Sequence, residues 1–221
     1  MTNAPANATA AETRASDVAR ALLDIDAVFL RPREPFTWAS GIISPIYTDN
    51  RLILTAPAAR NLVEGGLAEL IREEFPHADA LMGTATAGIA HAALAADRLG
   101  LPMGYVRSSA KDHGRTNRIE GRLEPGSKVV VVEDLISTGG SVLEVVRALE
   151  EAGAEVLGVA AIFTYGMDAS RTAFADAGVE LRTLTTFDDV VAQAAQTGAI
   201  EAADVDGLLD FRRNPREWKG L

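Results

Sequence analysis

KVVVVEDLISTGGS, residues 128–141, sets an unbroken β-branched run against two adjacent carboxylates, and these against a stretch of hydroxyls and glycines. Four consecutive valines without polar alternation read as a strand buried on both faces, which belongs in a parallel sheet covered by helices. Working outward, the same alternation recurs on both sides. Upstream, the spacing predicts a helix over 57–75 with Val63, Leu67, Leu70 and Ile71 facing inward, a strand over 79–83, a helix over 87–99 stopped by Gly100, and a strand over 102–107. The quoted stretch supplies a strand over 128–133 and opens a helix over 140–152 closed by Gly153. A strand over 155–164, a helix over 168–177, a strand over 179–184 and closing helices near 187–196 and 201–213 follow. Strands separated by helices of this length imply right-handed crossovers, so the predicted class is α/β with a doubly wound, mostly parallel sheet.

The N-terminal part is less regular. Residues 1–15 are expected to be a disordered tail, and 16–221 a single domain. Ser16 or Asp17 can cap a helix running to about Leu30, with Val18, Leu22, Ile25 and Phe29 on one face and Pro32 and Pro35 ending it. The aromatic and β-branched mixture that follows, with Gly41 and Pro45, reads as strands and turns, so 31–55 is expected to form a small lobe of its own.

Composition narrows the function classes. The chain has 221 residues, 48% of them hydrophobic, enough for one substantial core. Its formal net charge of −10 argues against general attraction to nucleic acid or an anionic membrane. With no cysteine, disulfides, thiolate nucleophiles and zinc–cysteine sites are excluded, as suits a reducing cytoplasm. The first residues lack the basic and apolar regions of a secretory signal, and a cytoplasmic protein is expected.

Ligands of open α/β sheets sit beyond the carboxyl ends of the strands. There the helix opening near Gly140 offers unpaired amides and the positive end of its dipole, Ser137, Thr138 and Ser141 add hydroxyls, and Gly139 and Gly140 let the backbone come close. A phosphate monoester fits this turn. The two acids need a different partner, since Glu133 and Asp134 repel a phosphate. A vicinal diol provides one, with a divalent metal as the other candidate, so the segment reads as a site for ribose and its 5-phosphate together. The plainer alternative is that the acids solvate a strand end and the hydroxyls cap the helix.

Residues 107–123, RSSAKDHGRTNRIEGRL, interrupt the alternation without apolar periodicity. Arg107, Lys111, Arg115, Arg118 and Arg122 face only Asp112 and Glu120, which concentrates positive charge in an otherwise acidic protein. A connection of this length inside a compact domain suits a cationic lid closing over a polyanion. His77 and His91 read as structural or surface residues, and no H-E-x-x-H or similar spacing supports a metal site built by the protein itself.

The order of strand, two acids, and hydroxyl–glycine turn resembles the ribose-phosphate signature of the type I phosphoribosyltransferases. The resemblance implies that Glu133, Asp134, Leu135, Ile136, Ser137, Thr138, Gly139, Gly140 and Ser141 hold phosphoribosyl diphosphate. YVRSSAKDHG at 105–114 is similar to the catalytic loop of the orotate phosphoribosyltransferases, which implies that Arg107, Lys111 and His113 engage the diphosphate. The same enzymes share the pattern found here as Ser40, Gly41, Ser44, Pro45 and Tyr47, together with GTATAG at 83–88 and FTYG at 163–166. Lysines that several members carry are replaced by Ala39 and Ala87, and an arginine near Tyr165 is absent, which leaves Arg51, Ser137, Tyr47 and backbone amides as expected orotate contacts. The resemblance further implies Mg2+ carried by the diphosphate, and a homodimer in which each lid reaches the neighbouring site. The expected reaction makes orotidine 5′-monophosphate and diphosphate in pyrimidine biosynthesis. A transferase for another base and a non-catalytic sensor of phosphoribosyl diphosphate are the alternatives.

Overall fold

The computed structural model describes residues 9–38, 41–108 and 118–221. The chain opens with α1 (Ala10–Asp24), β1 (Val28–Leu30), β2 (Phe36–Thr37), β3 (Ile43–Ser44), β4 (Ile46–Thr48) and a 3-10 turn (Asn50–Thr55). The regular part runs α2 (Pro57–Glu74), β5 (Ala80–Thr84), α3 (Ala87–Leu99), β6 (Met103–Val106), β7 (Ile119–Glu120), β8 (Lys128–Ile136) and α4 (Gly140–Glu151). It continues with β9 (Glu155–Thr164), α5 (Asp168–Ala177), β10 (Leu181–Thr186), α6 (Phe187–Thr197) and α7 (Val205–Arg213).

Six strands form one sheet in the order β10-β9-β8-β5-β6-β7, parallel except for the β6–β7 pair. Along the chain, β6 is laid on one side of β5 and β8 on the other, so the winding reverses between β5 and β8. A reversal of this kind opens a crevice at the carboxyl ends of the two strands. The predicted class therefore stands, and the topology adds where the crevice lies. The valines of β8 serve both faces: Val130 and Val132 join the core shared with α1, α2, α3, α6 and α7, while Val129 and Val131 join the core under α4 and α5. No helix among the described residues is long and apolar enough to cross a membrane.

Three expectations need correction. α1 begins at Ala10, because Thr9 and Glu12 form a reciprocal capping box, so residues 10–15 are helical and Ser16 and Asp17 lie inside the helix. The helix also stops earlier than the prolines require: Asp26 takes φ 57°, Ile25 becomes the cap, and Phe29 lies in β1 opposite Tyr47. Last, β8 does not end at Glu133, since β9 stays paired with it through Glu133↔Ala161, Leu135↔Phe163 and Ile136↔Thr164. Glu133 and Asp134 thus sit on a hydrogen-bonded strand, and the turn shrinks to 137–139.

The N-terminal lobe is two small antiparallel ribbons, β1–β4 and β2–β3. Its strands of two or three residues have too little length to show a period, which is why the sequence predicted strands here without placing them. The basic interruption leaves and rejoins the sheet edge through β6 and β7, with Tyr105 opposite Glu120 and Val106 opposite Ile119. Beyond that pair, the Arg107 amide donates to the Arg118 carbonyl at 2.9 Å, and Arg118 Nε donates back to the Arg107 carbonyl at 2.9 Å. The segment is closed at its neck.

Candidate active site

The crevice between the ends of β5 and β8 gathers most of the residues singled out in the sequence. Glu133 sits half-buried within β8, beside Thr84 at the end of β5, and accepts the Asp134 amide at 3.0 Å. Burial pushes the Glu133 carboxyl up to about 8; the adjoining Asp134, by hydrogen bond and charge, adds to the effect, and the Thr84 hydroxyl opposes it. Two neighbouring carboxyls are suited to hydroxyl donors or to a cation once the proton that Glu133 prefers has left.

Past Ile136 the chain turns through Ser137 and Thr138 into Gly139, whose φ of +83° leads directly into α4. No side chain caps α4, nor α3, nor α5, the three helices that open above β8, β5 and β9. By contrast, α1 and α6 carry full capping boxes through Thr9 and Thr186. α2 and α7 likewise lack a side-chain cap, so an open first turn is not confined to the crevice; at α4 the open amides follow directly on the Gly139 turn, where an anion can take them. Ser137 is half-buried while Thr138, Gly140 and Ser141 are exposed, so the turn presents its hydroxyls outward. Leu135 and Ile136 take another role. Ile136 is 1% exposed in the core under α4 and Leu135 packs against the opposite core, so only their backbone faces the crevice.

The 3-10 turn after β4 is tied to this strand end: Asn50 Nδ2 donates to the Asp134 carbonyl at 2.7 Å, with Asn50 itself buried. Tyr47 and Arg51 flank that anchor, and both are exposed. The Arg51 guanidinium folds back on Asp49, with Nε to Oδ1 at 2.6 Å and a second bond at 2.8 Å, which raises its proton affinity; Tyr47 and Asp134 add smaller contributions of the same sign. Arg51 therefore already meets one carboxylate, that of Asp49. Tyr165, directly after β9, is buried, and its hydroxyl is pushed up to about 12, chiefly by that burial and further by Tyr47 and Asp134. Its ring lies 5.2 Å from that of Trp38. Asn50 and Trp38 adjoin these residues without having been chosen from the sequence, whereas Thr84 and Tyr165 fall in the GTATAG and FTYG motifs without a role assigned to them there. A buried amide bonded to a carbonyl 84 residues away leaves no local signature.

Arg107 marks the rim. Partly exposed at the end of β6, it has Nη1 3.9 Å from Glu120. Lys111 and His113 lie outside the described residues, as do Ala39 and Ser40. His91, by contrast, is far from any ligand role: it is fully buried, with Nδ1 2.6 Å from the equally buried Glu64. Among the described residues no cluster of three or more potential ligands could hold a metal alone. The Glu133–Asp134 pair fits a cation only when a bound substrate completes its coordination.

Comparisons with known proteins agree with this geometry. A family model described as phosphoribosyl transferase domain matches residues 49–197. The orotate phosphoribosyltransferase of Bacillus subtilis (strain 168) is 56% identical over 203 residues, covering 91% of this chain and 94% of its own. The enzyme of the same name from Lactococcus lactis subsp. lactis is 54% identical, covering 91% and 97%. Among solved structures, orotate phosphoribosyltransferase from Aeropyrum pernix superposes with a TM-score of 0.72 at 30% identity, covering 83% of this chain and 99% of that one.

Proposed function

The chain belongs to the orotate phosphoribosyltransferases, and from that premise we propose that the crevice between β5 and β8 joins orotate to the ribose of phosphoribosyl diphosphate, a cytoplasmic step of pyrimidine biosynthesis. The observation that carries this reading is the continuity of Glu133 and Asp134, on a paired strand, with a glycine turn and an uncapped helix. The acids take the ribose hydroxyls, and the amides and hydroxyls of 137–141 take the 5-phosphate. The lobe formed by residues 31–55 covers the base, with Tyr47, Arg51 and Ser137 as orotate contacts.

In the reaction, the bond from the anomeric carbon to an orotate ring nitrogen forms as the bond to the diphosphate oxygen breaks. Positive charge grows on the ribose ring and negative charge on the leaving group, so catalysis rests on electrostatic stabilisation. Arg107 at the rim, with Lys111 and His113 further along the same segment, meets the departing diphosphate. Mg2+ bound to the diphosphate neutralises part of that charge when present. The site is shared in a homodimer, one subunit supplying the lid segment and its partner the ribose turn.

Purified protein given phosphoribosyl diphosphate and magnesium should consume orotate and leave uracil, hypoxanthine and adenine untouched; consumption of a different base would overturn the assignment. Lys111→Ala is expected to lower kcat by about a hundredfold, in line with loss of one charge-stabilising donor. Because the neck at Arg107 and Arg118 is closed by bonds that do not involve Lys111, far-UV circular dichroism should remain unchanged. Mixed dimers of Lys111→Ala with Asp134→Asn should regain part of the lost activity, and no recovery after subunit exchange would reject sharing.

The raised Glu133 carboxyl makes substrate binding pH-dependent. The free protein holds a proton there up to about pH 8, whereas the diol- or cation-binding form is the carboxylate. Affinity for magnesium phosphoribosyl diphosphate should therefore rise from pH 6.5 towards 8 and level off above it. Calorimetry in buffers of different ionisation heat should register proton release at pH 7 and none at pH 9. A flat affinity with no release would remove Glu133 from the ribose contact.

A further inference from the structure

We infer that the segment after α7, through Trp218, is a positioning element for the lobe over the base; the inference rests on the proposed role of residues 31–55. Residues 214–221 contribute no strand or helix, yet they are pinned to the root of that lobe. The Leu221 amide donates to the Pro32 carbonyl at 3.1 Å, and Gly220 lies against Pro35. Trp218, 8% exposed, donates its indole N–H to the Gly207 carbonyl at 2.8 Å. Gly207 itself is packed so closely by Leu221 that a Cβ there would come within 2.2 Å of the leucine side chain.

From Trp218 a file of rings leads into the crevice. Its ring meets the edge of the fully buried Phe211 at 5.6 Å, Phe211 meets the edge of Trp38 at 5.9 Å, and Trp38 lies 5.2 Å from Tyr165. Trp38 is held from the other side by its indole N–H on the Ile46 carbonyl at 3.1 Å. The first two contacts are edge-to-face and directional, so Trp218 and Phe211 limit the tilt of Trp38, which packs at a tilt against Tyr165. A second clamp acts at the lobe's root: Arg33 forms paired bonds of 2.8 and 2.7 Å with Glu201 and a third of 3.1 Å with Asp204, just before α7. Both attachments reach the lobe from the C-terminal end of the chain, and neither touches Glu133, Asp134 or the turn at 137–139. Trp218 and Arg33 are thus positioning residues for the base alone, acting through Trp38 and the root of the lobe.

The test is a split between the two substrates. Trp218→Ala should raise the KM for orotate about tenfold, with the KM for phosphoribosyl diphosphate within about twofold of the parent, since small displacements of positioning groups act strongly on the substrate they align. Trp218→Phe, which keeps a ring, should restore most of the loss. Arg33→Gln, at an exposed position that does not threaten folding, should shift the orotate KM in the same direction by about threefold. If both KM values rise together, or if neither moves in Trp218→Ala and Arg33→Gln, the tail is only a structural closure and the inference fails. Trp38→Ala separates the two levels of the argument. A raised orotate KM in Trp38→Ala beside unchanged values in the other two variants rejects the C-terminal role alone, whereas an unchanged value in Trp38→Ala rejects the lobe as the base cover and this inference with it.

Discussion

Gly139→Val is expected to raise the KM for phosphoribosyl diphosphate by about 10²–10³. A non-glycine residue at φ +83° adopts a left-handed conformation that costs roughly 1–2 kcal/mol. A Cβ at this position would also stand 2.8 Å from Cε2 of the buried Phe174, an overlap that overpacking in cores makes worth about 1–3 kcal/mol more. Either the turn deforms or α5 retreats. Because the amides of 139–141 are the proposed phosphate contacts, a deformed turn loses affinity at about tenfold per 1.4 kcal/mol. Steady-state kinetics with each substrate varied in turn checks this. Combining Gly139→Ala with Phe174→Ala should relieve the steric part and leave the conformational part, so the double variant should bind better than Gly139→Ala alone. An unaffected KM in Gly139→Val would mean that the phosphate does not use this turn.

The second large effect concerns stability. Glu64 on α2 and His91 on α3 meet at 2.6 Å with neither side chain exposed, and among the described residues Glu64 Oε2 and His91 Nε2 find no hydrogen-bond partner. Removing one member leaves the other buried and unpaired, so Glu64→Leu or His91→Leu alone should lower the unfolding free energy by about 3–5 kcal/mol. Replacing both with leucine removes the polar requirement altogether and should lie within about 1–2 kcal/mol of the parent, by the same reasoning. Chemical denaturation of the two single variants and the double variant gives the coupling directly. Equal and additive losses would show that the pair is not energetically linked.

How far the site can be read from the chain depends on how local each feature is. The valine run of β8, the helix that follows it and the long β9 each carry their own period and boundaries, and all three lie where the sequence puts them apart from the three-residue extension of β8. That extension depends on β9 continuing to pair, which is a property of two strands and not of one. The acids and the turn were legible because they are contiguous in the sequence. Asn50, Trp38 and Tyr165 were not, because each acts through a partner distant in sequence: a carbonyl on β8, a ring on α7, a ring in the N-terminal lobe. β7 was missed for another reason, since two residues at a sheet edge show no alternation. Arg51 was found by its charge, while its engagement with Asp49 emerged only from geometry.

The closed neck at Arg107 and Arg118 also separates reach from robustness. With the two ends of the basic segment already held together by the β6–β7 pair, the sheet does not sense how many residues lie between them, and for a flexible connection each doubling of length carries only about 0.6 kcal/mol of closure entropy. Insertions and deletions between 108 and 118 should therefore leave the melting temperature of the folded body nearly unchanged, because the edge of the sheet works as a cuff that holds both ends of the segment whatever its length.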